Sequence, residues 1–350
     1  MMTGEVNMQP RIKSSSIKSS CRTLAAGAVI LLLTAAAPNA VRAQDAYPAK
    51  PITIINPNAP GGVVDIVARA LANGLQKPLK QSVIVVNRGG ANGAIGTQAA
   101  ASAPADGYTF LLSTPSFLSV PEVDRLFERT PLFAVDQFIP IARITSDPTV
   151  VIAHPSLGAS TIADLITTAK ARPDGVVMAS SGTYGATHLP LAMVEMATDI
   201  RMRHVPTSGG GPAFAMTLGG HSQIVASAPG VAYPQVQAGK LRALAQTGSA
   251  RVAPFIETPT LKEAGIDVEF YIWTVLFAPA KTPSAVLKLV AEATRQVGQD
   301  EQFVAAITKS NSNLAYAEGD ALRAFMARET AVIGATVRHI GKIEDDKPAR

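Results

Sequence analysis

The sequence predicts an α/β fold of two lobes joined by a hinge, and three observations carry that expectation. Short apolar β runs alternate with helical patterns from Pro51 onward, and the same alternation restarts near residue 138. A further apolar run and two amphipathic helices follow the second series and need a sheet to cover.

In order, "PITIINP" reads as a strand, "VVDIVARALANGLQ" as a helix, "SVIVVN" as a strand, "AIGTQAAASA" as a helix and "YTFLLST" as a strand. Apolar β runs separated by helices of this length argue for a parallel sheet with crossover helices. The second series opens with "FIPIARITSDPTVVIAHP", two β-rich runs separated by "SDP". "TIADLITTAKARP" is a helix whose N-cap is Ser160 or Thr161. Then come the strand "VVMASS", the loop "GTYGAT", the helix "HLPLAMVEMA", the strand "RMRHVP", the turn "TSGGGP" and the helix "AFAMTLGG". The strand "KLRALAQTG" is expected to return the chain to the first lobe, where "FYIWTVLFAPA" and helices around 283–298 and 319–339 complete it. The expected divisions are an export signal over 1–43, a first part of lobe 1 over 44–146, lobe 2 over 147–243, and the lobe 1 return with C-terminal helices over 244–350. No fixed-period repeat is visible, and biased composition is confined to "KSSSIKSS" and the charged tail "KIEDDKPAR".

The export signal rests on a basic region (Arg11, Lys13, Lys18, Arg22), the apolar run "LAAGAVILLLTAAA", and small residues in "VRA" before Gln44. The apolar run is too short to span a bilayer. Cys21, the only cysteine, precedes that run, whereas a lipoprotein cysteine follows it. Cleavage after Ala43 leaves 307 of 350 residues and takes five of the 31 basic residues and one of the 26 acids. The net charge of +5 thus falls to +1, which gives nucleic-acid binding little support. A chain of that length usually splits into two domains, and without cysteine it has neither disulfides nor thiolate chemistry. These properties suit a bacterial periplasm.

Three places show a strand, a Gly-rich turn and a helix start: residues 57–65, 181–188 and 205–212. Each leaves backbone N–H groups free where the helix dipole favours negative charge. Any one turn is explained as well by tight packing; three of them favour an anion held between lobes. In "NPNAPGGVVD", Gly61 and Gly62 are expected to let the backbone approach a ligand and to adopt conformations that a Cβ resists. Asp65 in the first helical turn interacts with the helix start, orders the loop or holds a bridging water.

Catalytic readings find less support. Gly90, Gly93 and Gly96 in "VIVVNRGGANGAIG" are spaced G-x-x-G-x-x-G, and Asp106 lies in the turn "PADGY", which does not make a dinucleotide fingerprint. There is no phosphate-loop G-K-[ST] and no G-x-S-x-G nucleophile elbow. The five histidines (His154, His188, His204, His221, His339) are scattered without metal-ligand spacing, so neither metal nor cofactor is expected. His188 opens a helix beside a Gly-rich loop, as a ligand donor or as a cap. Trp273 and Tyr271 read as core or hinge residues.

In order and spacing, "YPAKPITIINPNAPGGVVDIVARAL", "VVNRGGANGAIGTQAAASAPADGYTFLLST", "THLPLAMVEM", "HVPTSGGGPAFAMTLGG", "AGKLRALAQTG", "ETPTLKEAGI" and "FAPAKTP" resemble the substrate-binding proteins of tripartite tricarboxylate transporters, the Bordetella uptake gene (Bug) family. The resemblance implies a periplasmic-binding-protein fold, a type 2 Venus flytrap with a mixed sheet flanked by helices in each lobe and a hinge of crossing strands. It implies a carboxylate held by backbone amides and ordered waters from the first two Gly-rich loops. The positions it assigns in the first lobe are Asn58, Ala59, Pro60, Gly61 and Gly62, with Asp65 in support and Thr114 on the cleft floor. In the second lobe they are Gly182, Thr183, Tyr184, Gly185, Ala186, Thr187 and His188, then Thr207, Ser208, Gly209 and Gly210, with Ser227 along the cleft. One departure stands out: relatives commonly read Val-Pro-Tyr-Lys-Gly where this chain has "VPTSGG", so Thr207 and Ser208 free volume and remove a cation. A bulkier or less charged carboxylate is expected than a small dicarboxylate.

The function expected is a monomeric periplasmic receptor that delivers an aliphatic or aromatic carboxylate to membrane transporter subunits and catalyses nothing. Two alternatives stand beside it: a ligand sensor feeding a two-component kinase, and a secreted α/β enzyme acting on a carboxylate or ester.

Overall fold

The structure, a computed structural model, describes residues 47–310 and 312–343. The expected export signal lies outside the described residues. The chain runs β1 (Ile52–Asn56), α1 (Val63–Leu79), β2 (Val83–Asn87), α2 (Ala94–Ala101), β3 (Thr109–Ser113), α3 (Ser116–Leu126) and the long β4 (Phe138–Pro148). Next come β5 (Val150–Ala153), α4 (Ile162–Ala171), β6 (Val177–Ser180), α5 (Leu189–Thr198), β7 (Arg203–Pro206), α6 (Gly210–Leu218), β8 (Ile224–Ser227), α7 (Pro229–Gln237) and β9 (Arg242–Gln246). It ends with β10 (Tyr271–Pro279), α8 (Ser284–Gln299), α9 (Glu301–Lys309), β11 (Leu314–Ala317) and α10 (Gly319–Ile340).

The strands form two mixed sheets, ordered β11-β4-β10-β3-β1-β2 and β7-β6-β8-β5-β9. In the first, β1 pairs in parallel with β2 and β3, while β10 runs antiparallel to β3 and β4. In the second, β6 is parallel to β7 and β8, and β5 is antiparallel to β8 and β9. Alternation along the strands sorts the first sheet's two faces. Ile52, Ile54, Phe110 and Leu112 pack with Leu71 and Leu75 of α1 and Val290 and Val297 of α8. Ile55, Leu111, Trp273 and Val275 pack with Phe117 of α3 and Leu322 and Ile333 of α10. Trp273 is a core residue whose indole N–H donates to Glu329 at 2.8 Å.

Two sequence expectations need correction. The run "KLRALAQTG" does not return to the first lobe: β9 is the edge strand of the second sheet, with Val150 opposite Gln246 and Ala153 opposite Arg242. Leu241 and Leu244 are buried in that sheet's cores, and the return comes with β10. Apolar alternation specifies which face a strand buries, not which sheet receives it. The "SDP" run is not a break either, because β4 continues through Ser146, Asp147 and Pro148 beside β10, leaving only Thr149 before β5. Pro148 is tolerated because it ends the strand. The N-cap left open between Ser160 and Thr161 is Thr161, whose side chain accepts from the Asp164 N–H at 3.1 Å.

The chain crosses between the sheets at Thr149 and again after Gln246, and the crossings are tied together. Thr149 N–H donates to the Thr247 hydroxyl at 2.8 Å, and Thr247 N–H donates to the Thr149 carbonyl at 2.9 Å.

Candidate ligand-binding cleft

The first Gly-rich loop follows β1. Asn56 is fully buried at the strand end, and its Oδ1 accepts from Asn58 N–H at 3.0 Å, which turns the chain. Gly61 adopts φ +84°, a left-handed conformation that a Cβ disfavours. Gly62 departs from expectation: as the N-cap of α1 it has φ −83° and ψ 173°, which any residue adopts, and an added Cβ would come no closer than 4.0 Å to Ala59 O. Asp65 is buried and turned towards its own loop. It accepts from Gly61 N–H at 3.1 Å, Asn87 Nδ2 at 2.9 Å and the Arg69 guanidinium at 3.0 and 3.1 Å. Burial pushes its carboxyl up, but the Arg69, Asn87 and Gly61 hydrogen bonds outweigh that and hold it below the usual carboxylate range.

The second loop joins β6 to α5. Gly182 has φ +125° and Tyr184 φ +57°. The Thr187 hydroxyl accepts from Ser181 N–H at 2.8 Å, and Gly185 N–H donates to Gly182 O at 2.9 Å. A Cβ on Gly185 would meet Asn92 Oδ1, Gly182 O and Ser181 Oγ, each at 2.8 Å, so only glycine lets this loop sit against Asn92. Tyr184 and Ala186 are buried with the first sheet's residues. His188 is buried and stacks on His204 with centroids 4.0 Å apart. Burial, then the neighbouring His204, pushes His188 down to about 3. Its Nδ1 accepts from Tyr184 N–H at 2.9 Å, which places the proton of the neutral ring on Nε2.

The third loop follows β7. The Thr207 hydroxyl lies 2.9 Å from Ser180 O and 2.8 Å from Gly209 O, and ties the turn to β6. A Cβ on Gly209 would lie 3.7 Å from the Ala59 side chain, so the first and third loops meet. Gly210 begins α6 in open space.

Between these loops lies a cleft of about 1670 Å³. Of the positions expected to touch ligand, Asn58, Ala59, Gly182, Thr183, Tyr184, His188, Thr207 and Ser208 line it. Pro60, Gly61, Gly62, Asp65, Gly185, Ala186, Thr187, Gly209 and Gly210 belong to the same loops but are not among the residues that line it, and Pro60, Gly61 and Gly210 are exposed. Two others do not reach the cleft wall. Thr114 is buried, its carbonyl accepting from Phe117 N–H at 2.9 Å as α3 begins. Ser227 is buried with its hydroxyl 3.4 Å from Ala228 O. Both are short polar residues at strand ends, where the chain turns inward before the next helix.

Gly89–Ala94, which the sequence does not mark as a binding loop, also lines the cleft and lies beside the first loop: a Cβ on Gly89 would come within 3.4 Å of Ala59 N. Ala91 and Asn92 have φ +46° and +54° in a 3₁₀ turn over Ala91–Gly93. The density of Gly and Asn in "NRGGANG", not its motif spacing, was the usable signal.

The guanidinium groups at the cleft are partly spoken for. Arg129 pairs with Asp124 at 3.2 Å and Arg201 with Asp174 at 2.9 Å, while Arg203 is exposed on the β7 edge. The three loops themselves carry no cationic side chain, so backbone N–H groups and hydroxyls supply their polarity. Glu195 is pushed up to about 7 by burial, against the pull of a 2.6 Å hydrogen bond from Met202 N–H. Among the described residues no group of His, Cys, Asp or Glu is placed to hold a metal ion, and no helix is long and apolar enough to cross a membrane.

A family model for the tripartite tricarboxylate transporter family receptor matches residues 67–342. Protein BugT of Bordetella pertussis is 34% identical over 300 residues, covering 85% of this chain and 91% of BugT. The solved structure of periplasmic binding protein BugD is 28% identical, with a TM-score of 0.77 over 84% of this chain and 99% of that one. Rpa4515 of R. palustris, solved with adipate, is 26% identical, with a TM-score of 0.78 over 84% of this chain and 98% of that one.

Proposed function

The chain belongs to the tripartite tricarboxylate transporter receptor family, and we propose that it captures a small organic carboxylate between its lobes in the periplasm and delivers it to a membrane transporter, with no chemistry of its own. One observation carries the reading: loops from both lobes, rich in backbone N–H groups and without cationic side chains, converge on a single cleft. Asn58, Ala59, Gly182, Thr183, Thr207 and Ser208 are the contacts assigned to the carboxylate and its body. A helix start presents oriented N–H groups that favour an anion. A ligand touching both lobes binds a closed arrangement better than an open one and so favours closure. Adipate in Rpa4515 makes an aliphatic carboxylate the first candidate. Thr207 and Ser208 support a ligand bulkier or less charged than a small dicarboxylate, since neither offers a counter-charge.

The test is a thermal-shift screen of aliphatic and aromatic carboxylates, beginning with adipate. A compound at a hundred times its Kd stabilises by about 2.7 kcal/mol, and mass spectrometry should recover it unchanged in stoichiometric amount. Failure of every carboxylate to shift the transition would refute the receptor reading. Turnover of a bound one would establish an enzyme.

A further inference from the structure

Tyr184 connects chain segments that lie 157 residues apart in sequence. It belongs to the loop after β6, in the second sheet, yet its hydroxyl reaches the end of α10, which packs on the first. The phenol donates to Gly341 O at 2.7 Å and accepts from Ile343 N–H at 2.8 Å. Its carbonyl accepts from the Ser119 hydroxyl of α3 at 2.9 Å. The ring is buried and meets Phe127 edge-on, with centroids 6.5 Å apart. Lys342, between Gly341 and Ile343, lies 3.6 Å from Glu128 and 6.0 Å from the Phe127 ring centroid. Ile343, Phe127 and Tyr184 all line the cleft.

We propose that residues 341–343 form a C-terminal strap that presets the second Gly-rich loop for ligand, with the Tyr184 hydroxyl as the positioning group. The loop needs such a group. Gly182 and Gly185 flank a tyrosine held at left-handed φ, and the Tyr184 N–H is what orients His188. Fixing this loop before ligand arrives removes an ordering cost from binding. The inference rests on the carboxylate-receptor reading only for the purpose of the presetting, because the property itself exists without ligand.

The experiment uses the protein without ligand and three variants. Tyr184→Phe keeps the ring and removes the hydroxyl. One truncation ends at Ile340 and deletes the strap; another ends at Ile343 and keeps it. Amide hydrogen exchange over residues 182–188 should quicken about tenfold or more in Tyr184→Phe and in the Ile340 truncation, as two lost hydrogen bonds imply. The Ile343 truncation should stay closer to the parent than the Ile340 truncation does. Adding Tyr184→Phe to the Ile340 truncation should change little, since the truncation already removes both partners of the Tyr184 hydroxyl. Unchanged exchange at these amides, or an equal rise across β1–β3 that signals general destabilisation, would overturn the proposal. If one variant fails to fold, the other decides. A carboxylate screen that found no ligand would refute the receptor reading and leave this exchange result intact.

Discussion

Replacing Asp65 with alanine tests whether that carboxylate builds the first loop or touches ligand. It is 6% exposed and faces away from the cleft, so its loss should appear mainly as instability. Hydrogen bonds to a charged group contribute about 1.5–3 kcal/mol each when buried. The Gly61 and Asn87 bonds are only part-buried, and water can replace the carboxylate at Gly61, so about 1 kcal/mol each is the better figure. The Arg69 side chain is 56% exposed, which limits that ion pair to about 1 kcal/mol or less. The expected total is about 2–3 kcal/mol, or roughly 3–5 °C in melting temperature for a chain of this size. Urea unfolding and calorimetry measure it, with Arg69→Ala, expected to cost about 1 kcal/mol at most, as the control. The sign with pH also follows. Asp65 is held below its ordinary value, so its stabilisation is present above the unfolded carboxylate range and is lost as pH falls through the folded value. Asp65→Ala should lack that acid-side loss. A melting temperature within about 1 °C of the parent, or an Arg69→Ala loss as large as that of Asp65→Ala, would refute this account of the loop.

Two further substitutions probe backbone and burial. Gly61→Ala should cost about 1–2 kcal/mol because a Cβ disfavours φ +84°, whereas Gly62→Ala, already extended and uncrowded, should cost less than about 1 kcal/mol; the reverse order in urea unfolding would contradict the loop geometry. Asp147, buried in β4, accepts from Asn313 N–H at 2.5 Å, and burial pushes it up to about 7 against the pull of that bond and of the Ser312 side chain. A carboxyl raised on folding makes stability fall as pH climbs from about 4 to about 7, here by up to about 4 kcal/mol. Asp147→Asn should flatten much of that slope, leaving the part due to Glu195, which is raised into the same range; an unchanged slope between pH 4 and 8 would contradict it.

What the sequence made legible was local, and what it hid was partnership. The run from "PITIINP" into "VVDIVARAL" predicted β1, a turn and α1 because period-two burial, glycine and period-3.6 burial succeed one another within a few residues. The three Gly-rich turns were visible for the same reason, and the fold brings all three to one cleft. Alternation, however, carries no information about which sheet accepts a strand, so "KLRALAQTG" reads as a first-sheet strand although β9 belongs to the second. Thr114 and Ser227 illustrate the matching limit at side-chain level. Their placement beside cleft-forming turns follows from the sequence, but whether a short hydroxyl points out to the cleft or in to the core depends on helices that begin two residues later. The C-terminal strap lies further beyond reach. "GKI" looks like the start of a charged tail, and only the packing of α10 against α3 and α5 brings Gly341 and Ile343 to the hydroxyl of Tyr184. A binding loop read from its own glycines is therefore incomplete, because the atoms that hold it in shape can come from the far end of the chain.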